Sequence, residues 1–273
     1  MDQTIGFIGG GNMASSLIGE LINGGVINAN QICVFEPSAE KANELNSKFG
    51  IQIAQSNEQL IKQSSVVVIA VKPQVLKDVL SPLASTFKEQ SPLIVSIVAG
   101  ITANSIEQWL QGEYAIVRVM PNTPALVGQG ASGLYANENV NDEQRKVSTQ
   151  LMNAVGSCAW VANETDIDSI TALSGSGPAY FMLFIQSLID SAINSGLEPC
   201  AAKKLAVKTA SGAAALIDSS DLPLQTLIDN VTSPGGTTEQ ALLSFERSDL
   251  KGVVDSAFNA AKNRSQELAK ELG

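Results

Sequence analysis

Histidine is absent from all 273 residues. The chain therefore lacks the commonest general acid–base residue and the commonest metal ligand, so any proton must move through a hydroxyl, a lysine, a carboxyl or water. No metal site is expected. Two glycine-rich segments nevertheless have the makings of anion sites. In the first, Ile5 to Ile8 lead into Gly9-x-Gly11-x-x-Ala14, followed by Leu17, Ile18, Leu21 and Ile22 at helical spacing. This order spells strand, tight turn and helix. Gly9 permits a backbone conformation closed to other residues, Gly11 lets a pyrophosphate reach the main chain, and Ala14 lets helix and strand pack closely. The first helical amides have no internal partner and can bind phosphate. The predicted ligand is a dinucleotide. In the second, Asn230-Val-Thr-Ser-Pro-Gly235-Gly236-Thr237-Thr238-Glu-Gln240 reads as a helix start with exposed amides. Such a start holds a carboxylate without an arginine, and Thr237 and Thr238 add hydroxyls, so the substrate is expected here. The same threonines also suit a helix cap.

Further candidates follow predicted strands. Glu36 ends the second strand, where an acid usually bonds the ribose diol of NAD and repels the extra phosphate of NADP; Ser38 and Lys41 lie close enough to temper that preference. Ala70-Val71-Lys72-Pro73 follows a buried strand, and Lys72 is read either as a cofactor contact or as a solvated cation. The small residues of Ile97-Val98-Ala99-Gly100 would let a nicotinamide ring lie against the backbone. Pro121 and Pro124 imply a rigid loop holding Asn122 and Thr123. Leu173-Ser-Gly-Ser-Gly-Pro178 reads as a close-packed turn before an apolar helix.

The elements that must position these residues alternate through the first 160 or so residues. Strands are predicted at Gln3–Ile8, Ile32–Phe35, Val66–Val71, Leu93–Ile97, Ala115–Val119, Gly133–Ala136 and Cys158–Val161. Helices are predicted at Asn12–Gly24, Ala39–Phe49, Asn57–Gln63 and Gln74–Thr86. The pattern implies an α/β Rossmann-type domain, a parallel sheet with helices on both faces, whose ligand lies at the C-terminal strand ends. Beyond about residue 162 only helices are read, giving domains of residues 1–162 and 163–273. The run Tyr180–Ile185 is apolar on all sides and should be buried all round. Too many apolar faces crowd this half for one small domain, so a second copy of the chain is expected to cover some of them. The formal charge of −10 and the lack of basic runs argue against nucleic acid and acidic membranes. The segment Ala179–Ile193, interrupted by Gln186 and Asp190, reads as too short and too polar to span a bilayer. Met1 and Asp2 run straight into the first strand, so a cytoplasmic protein without a leader is expected. Cys33, Cys158 and Cys200 show no paired spacing and are read as buried thiols.

Taken together, Gly6-Phe-Ile-Gly-x-Gly-Asn-Met-Ala14, Ala70-Val-Lys-Pro73, Arg118-Val-Met-Pro-Asn-Thr-Pro124, Leu173-Ser-Gly-Ser-Gly-Pro-Ala-Tyr180 and Val231-Thr-Ser-Pro-Gly-Gly-Thr-Thr238 resemble pyrroline-5-carboxylate reductase along the whole chain. The last two segments are the most specific. The resemblance implies reduction of 1-pyrroline-5-carboxylate to L-proline by hydride from NADPH or NADH, and an all-α dimerisation domain, with homodimers assembling into decamers of five dimers. It implies cofactor contacts at Ile8, Gly9, Gly10, Gly11, Asn12, Met13, Glu36, Asn57, Ala70, Val71, Lys72, Pro73, Ile97, Val98 and Ala99. Substrate contacts are implied at Asn230, Gly236, Thr237 and Thr238, with Glu164 nearby; Thr238 is the hydroxyl expected at the imine nitrogen. The family's 2′-phosphate contacts are usually small or basic residues, and Glu36-Pro37 departs from that pattern. A protonated imine already accepts hydride well, so positioning, which can contribute roughly 7–11 kcal/mol, suffices without a metal or strong base. Two other readings compete. A β-hydroxyacid dehydrogenase would need a catalytic lysine followed by paired asparagines, which Lys203, Lys204 and Lys208 lack. A non-catalytic dinucleotide sensor would not need the second anion site.

Overall fold

The computed structural model describes residues 3–272. Eight strands form one sheet: β1 (Ile5–Ile8), β2 (Ile32–Phe35), β3 (Gln52–Ile53), β4 (Val66–Ile69), β5 (Leu93–Ser96), β6 (Ile116–Met120), β7 (Gly130–Ala136) and β8 (Gly156–Trp160). Their order is β3-β2-β1-β4-β5-β6-β7-β8. The first six strands are parallel in the 3-2-1-4-5-6 order of dinucleotide-binding sheets, with the switch point between β1 and β4. The sheet departs from the all-parallel expectation at one edge. β7 pairs antiparallel with β6, because only the short loop around Thr123–Val127 joins them, too short for a crossover.

Every residue of β1, β4 and β5 is buried. Strand side chains alternate between faces, so two cores form. On one, Ile5, Phe7, Val66 and Val68 meet Leu17, Ile18 and Leu21 of helix Asn12–Asn23 and Leu151 and Met152 of helix Asp142–Asn153. On the other, Ile8, Val67 and Ile69 meet Leu60 and Ile61 of helix Asn57–Gln63, Leu76 and Leu80 of helix Pro73–Leu80, and Trp109 of helix Ala103–Leu110. Each such side chain, fully buried, contributes about 1.5–3 kcal/mol. The expected helix Gln74–Thr86 is two helices, Pro73–Leu80 and Ala84–Gln90, separated by a tight turn at Ser81–Leu83 where Pro82 has no N–H to donate.

The chain packs as two compact units. One contains the residues up to Ser176 together with those from Ala261 onward; the other is Gly177–Ala260. The change of pattern near residue 162 and this packing division therefore fall at different places. In the sheet unit, Ile170 fills the space that Gly133 leaves on β7, Ser265 Oγ donates to Asp168 Oδ1 at 2.6 Å, and Leu268 packs on Gly100.

The other unit is helical: Gly177–Asn194, Pro199–Asp218, Leu224–Asn230, Thr237–Arg247 and the first part of Leu250–Leu272. The helix Gly177–Asn194 is not buried all round. Phe181 is 72% exposed and Leu183 70%, and among the described residues of this unit the buried hydrophobic side chains are Ile189 and Ala202. A face with so many exposed apolar side chains is of the kind that marks a contact with another molecule. The helical run is also longer than expected. It extends over 29 residues, Asp166–Asn194, which by length and composition alone is enough to cross a membrane. The thiols differ from one another. Cys33 is buried, Cys158 half-buried and Cys200, in the first turn of helix Pro199–Asp218, exposed rather than buried. Burial pushes the Cys33 and Cys158 thiols up, which keeps them protonated.

Candidate active site

The glycine turn is built as its residues dictate. Gly9 has φ +99°, and a Cβ there would lie 2.9 Å from Ala70 O and Val71 Cγ1. Its N–H donates to Phe35 O at 3.0 Å, joining the ends of β1 and β2. Gly10 sits under Leu45 and Glu36; a Cβ would come within 2.6 Å of Leu45 Cδ1. Gly11 is different. Its backbone is extended (φ −69°, ψ −177°), and a Cβ there would meet nothing within 4 Å. Gly11 caps helix Asn12–Asn23 without a side-chain hydrogen bond, so the amides of Asn12 and Met13 have no partner among the described residues. Gly9 is thus required by the fold, while Gly11 keeps clear the approach to a helix N-terminus. That arrangement fits a pyrophosphate.

The remaining cofactor candidates gather at the same edge. Glu36 follows β2, Asn57 opens the helix after β3, Ala70 to Pro73 follow β4, and Ile97 to Ala99 follow β5. Because these strands are parallel, all of these residues lie at their C-terminal ends. The ladder continues past the strands, with Ala70 N–H donating to Ile8 O at 2.9 Å and Ile97 N–H to Ile69 O at 3.1 Å. Glu36 Oε2 accepts from Gly10 N–H at 3.0 Å and Oε1 from Ser38 N–H at 3.2 Å. Lys72 is exposed at the cap of helix Pro73–Leu80, whose first residue is Pro73. Two buried oxygens at this edge have no partner within the described chain, Asn57 Oδ1 and Ser96 Oγ. A buried acceptor left unbonded costs about 1–3 kcal/mol, so such atoms point to a ligand. Ser96 carried no signal in the sequence beyond its place at the end of an apolar strand.

Glu164 has partners of its own. Its Oε1 accepts from Ala103 N–H at 2.6 Å, at the start of helix Ala103–Leu110, and from Arg118 Nη1 at 2.9 Å. Arg118 and Glu164 are 8% and 25% exposed, so this is a largely buried ion pair. Removing one member would strand the other. Arg118 was legible as the one charge in an apolar strand, which needs a partner. Tyr135, opposite Arg118 on β7, has its phenol pushed up by burial and by Glu164 and Glu138, with Arg118 opposing. Asn122 acts as a brace: Nδ2 donates to Ser174 O at 3.0 Å and Oδ1 accepts from Ala131 N–H at 2.9 Å. It thereby fixes the Pro121–Pro124 loop to Ser174, which lies not in the expected turn but in a widened helical stretch, Thr171–Gly175.

In the helical unit, Gly235 has φ +72° and Gly236 caps helix Thr237–Arg247 with extended backbone. Gly235 N–H is not available to a ligand, because it donates to Glu239 Oε2 at 2.8 Å. The amides of Thr237 and Thr238 have no partner among the described residues, and the half-buried Thr238 hydroxyl makes no hydrogen bond. Asn230 is exposed at the end of helix Leu224–Asn230.

The chain is 47% identical over 269 residues to the pyrroline-5-carboxylate reductase of Pseudomonas aeruginosa, with 98% of each chain covered. This chain belongs to the pyrroline-5-carboxylate reductase family. Residues 164–268 match the family's dimerisation model, and residues 4–100 match that of NADP oxidoreductases, coenzyme F420-dependent. Among solved structures, the pyrroline-5-carboxylate reductase of Coxiella burnetii superposes with a TM-score of 0.95 at 41% identity, covering 98% of this chain and 99% of that one. The Plasmodium falciparum pyrroline carboxylate reductase, solved with NADP bound, gives 0.86 at 34%, with 98% of each covered. Family membership accounts for the Rossmann-type sheet, the helical dimerisation domain and use of an NAD(P)H cofactor.

The contrast between Gly9 and Gly11 is testable. Gly11→Val should leave the unfolding midpoint close to that of the parent, since its side chain enters open space, yet weaken NAD(P)H binding at least 100-fold. Fluorescence titration together with thermal unfolding measures both; undiminished affinity would contradict the placement of the phosphates.

Proposed function

We propose that this chain reduces 1-pyrroline-5-carboxylate to L-proline, the last step of proline biosynthesis, with NADPH or NADH as reductant. The observation that carries the reading is the helix start at Gly236-Thr237-Thr238, with two amides and a hydroxyl that have no partner among the described residues, in a chain without histidine. The Thr237 and Thr238 amides hold the substrate carboxylate, with Gly236 admitting it and Asn230 contacting the ring. Thr238 Oγ1 hydrogen-bonds the imine nitrogen and holds it in its protonated, hydride-accepting form. Glu164, held by Arg118 and by Ala103 N–H, stands nearby. Ile8, Gly9, Gly10, Gly11, Asn12 and Met13 bind the diphosphate. Glu36 and Asn57 take the adenosine end, and Ala70 to Pro73 with Ile97 to Ala99 line the nicotinamide end. The bound cofactor supplies the hydride. The chain's contribution is positioning and exclusion of water.

Residues 1–162 serve as the dinucleotide-binding part and 163–273 as the dimerisation and substrate-binding part. The bare face around Phe181 and Leu183 is covered by a second copy rather than by lipid, and the homodimers join as decamers of five. The enzyme works in the cytoplasm without nucleic acid or membrane.

The direct assay is NAD(P)H oxidation with pyrroline-5-carboxylate, set against cofactor reduction with a 3-hydroxy acid. Only the first should proceed; turnover of the hydroxy acid alone would favour the β-hydroxyacid dehydrogenase reading. Thr238→Ala should lower kcat about 10- to 100-fold, the worth of one hydrogen bond to a charged group, without altering the fold. An unchanged kcat would remove Thr238 from the reaction. Light scattering should give the parent a mass of at least two chains and Phe181→Asp a smaller one; a monomeric parent would contradict the covered face.

A further inference from the structure

The family resemblance leaves one property of the cofactor site open: whether the adenosine ribose carries a 2′-phosphate. The geometry points to Glu36 as a fixed selector that makes this chain prefer NADH over NADPH. The inference rests on the glycine turn being the dinucleotide site.

Glu36 stands immediately after β2, where an acid in this fold meets the ribose diol. It is not a mobile surface acid. Gly10 N–H and Ser38 N–H each bond a different carboxylate oxygen, and its Cβ packs where Gly10 has no side chain, 3.3 Å from the position a Gly10 Cβ would take. Swinging away would leave both amides unpaired. Each carboxylate oxygen has two acceptor positions and spends one on the main chain. One therefore remains on each, which matches the two hydroxyls of a ribose diol. A 2′-phosphate offers no proton in that place and sets about two negative charges against a carboxylate held still.

The surroundings do not offset this. The loop and first helical turn read Glu36-Pro37-Ser38-Ala39-Glu40-Lys41. Glu40 adds a second acid. Lys41 is exposed, joined to Ser38 Oγ only through its main-chain N–H, and forms no ion pair among the described residues. One solvated ammonium on a flexible stem is a weak counterweight. The NADP named for the matched family model and for the Plasmodium structure belongs to those proteins. The pinning has a second consequence. Replacing Glu36 by a short side chain removes the charge and also releases Gly10 N–H and Ser38 N–H side by side, which turns a phosphate-repelling corner into one that binds phosphate.

The test is calorimetric binding of NADH and of NADPH to the full chain without substrate. The parent should bind NADH at least 10-fold more tightly, and the ratio should shrink as salt is added. Glu36→Ser should tighten NADPH at least 10-fold and weaken NADH a few-fold, reversing the order; Lys41→Ala should move the ratio less than 3-fold. Equal or tighter binding of NADPH by the parent overturns the inference, and this result does not depend on any variant folding. So does a Glu36→Ser protein, folded by circular dichroism, whose two affinities shift by the same factor. If Gly11→Val retains both ligands, or the parent binds neither, the glycine turn is not the site and the selector role falls with it.

Discussion

One main-chain constraint organises the sheet edge that carries the candidate cofactor residues. At Gly9 the backbone takes a left-handed φ, its N–H bonds the end of β2, and a Cβ on it would press on the main chain of Ala70, just after β4. No side chain fits there. Three strand ends meet around that residue, and the chain must leave directly into helix Asn12–Asn23. The open amides of that helix therefore stand at the switch point of the sheet, and the loops after β4 and β5 are held level with them by hydrogen bonds that continue past the strands. Ala14, fully buried, completes the close approach of helix to sheet.

A chain without histidine does its chemistry mainly with the backbone. Both candidate anion sites are helix starts whose first amides lack partners among the described residues, and each follows glycine: Gly11 leaves open space before its helix, and Gly236 lets the chain turn tightly against Ser233 O. Charged side chains serve other ends. Arg118 and Glu164 form a buried pair that ties β6 to the start of helix Ala103–Leu110, and Glu36 seals one corner of the glycine turn. This division of labour suits a reaction in which an iminium needs orientation more than proton transfer. Main-chain amides are well fitted to such a task, because the fold fixes them before the ligand arrives.

The parts of this arrangement that local pattern controls were legible in the sequence. Helices Ala39–Phe49 and Asn57–Gln63 begin after capping serines and end as their periodicity does, and both occur with the expected limits. Helix Asp142–Asn153 has a capping box at its start, formed by Asn141 and Gln144, but its outer face is so polar that the apolar stripe of Val147, Leu151 and Met152 gives only a weak periodic signal. β3 has two residues and no periodicity to read. The helix Gly177–Asn194 shows a different limit. An all-apolar helix announces that it will be covered, but not by which chain, so burial expected within one molecule is exposure here. The Glu164–Arg118 pair and the Asn122 brace join residues 46 and 52 positions apart, a separation no local pattern encodes.

The central claim is that hydride passes directly from cofactor to imine carbon in a site that uses no protein base. Reduction of pyrroline-5-carboxylate with cofactor bearing deuterium at nicotinamide C4, on the transferring face, tests it most directly, with the proline read by mass spectrometry. The account predicts one deuterium per proline, at the ring carbon formerly double-bonded to nitrogen, with none washed into water. Unlabelled proline, or label appearing in the solvent, would contradict it.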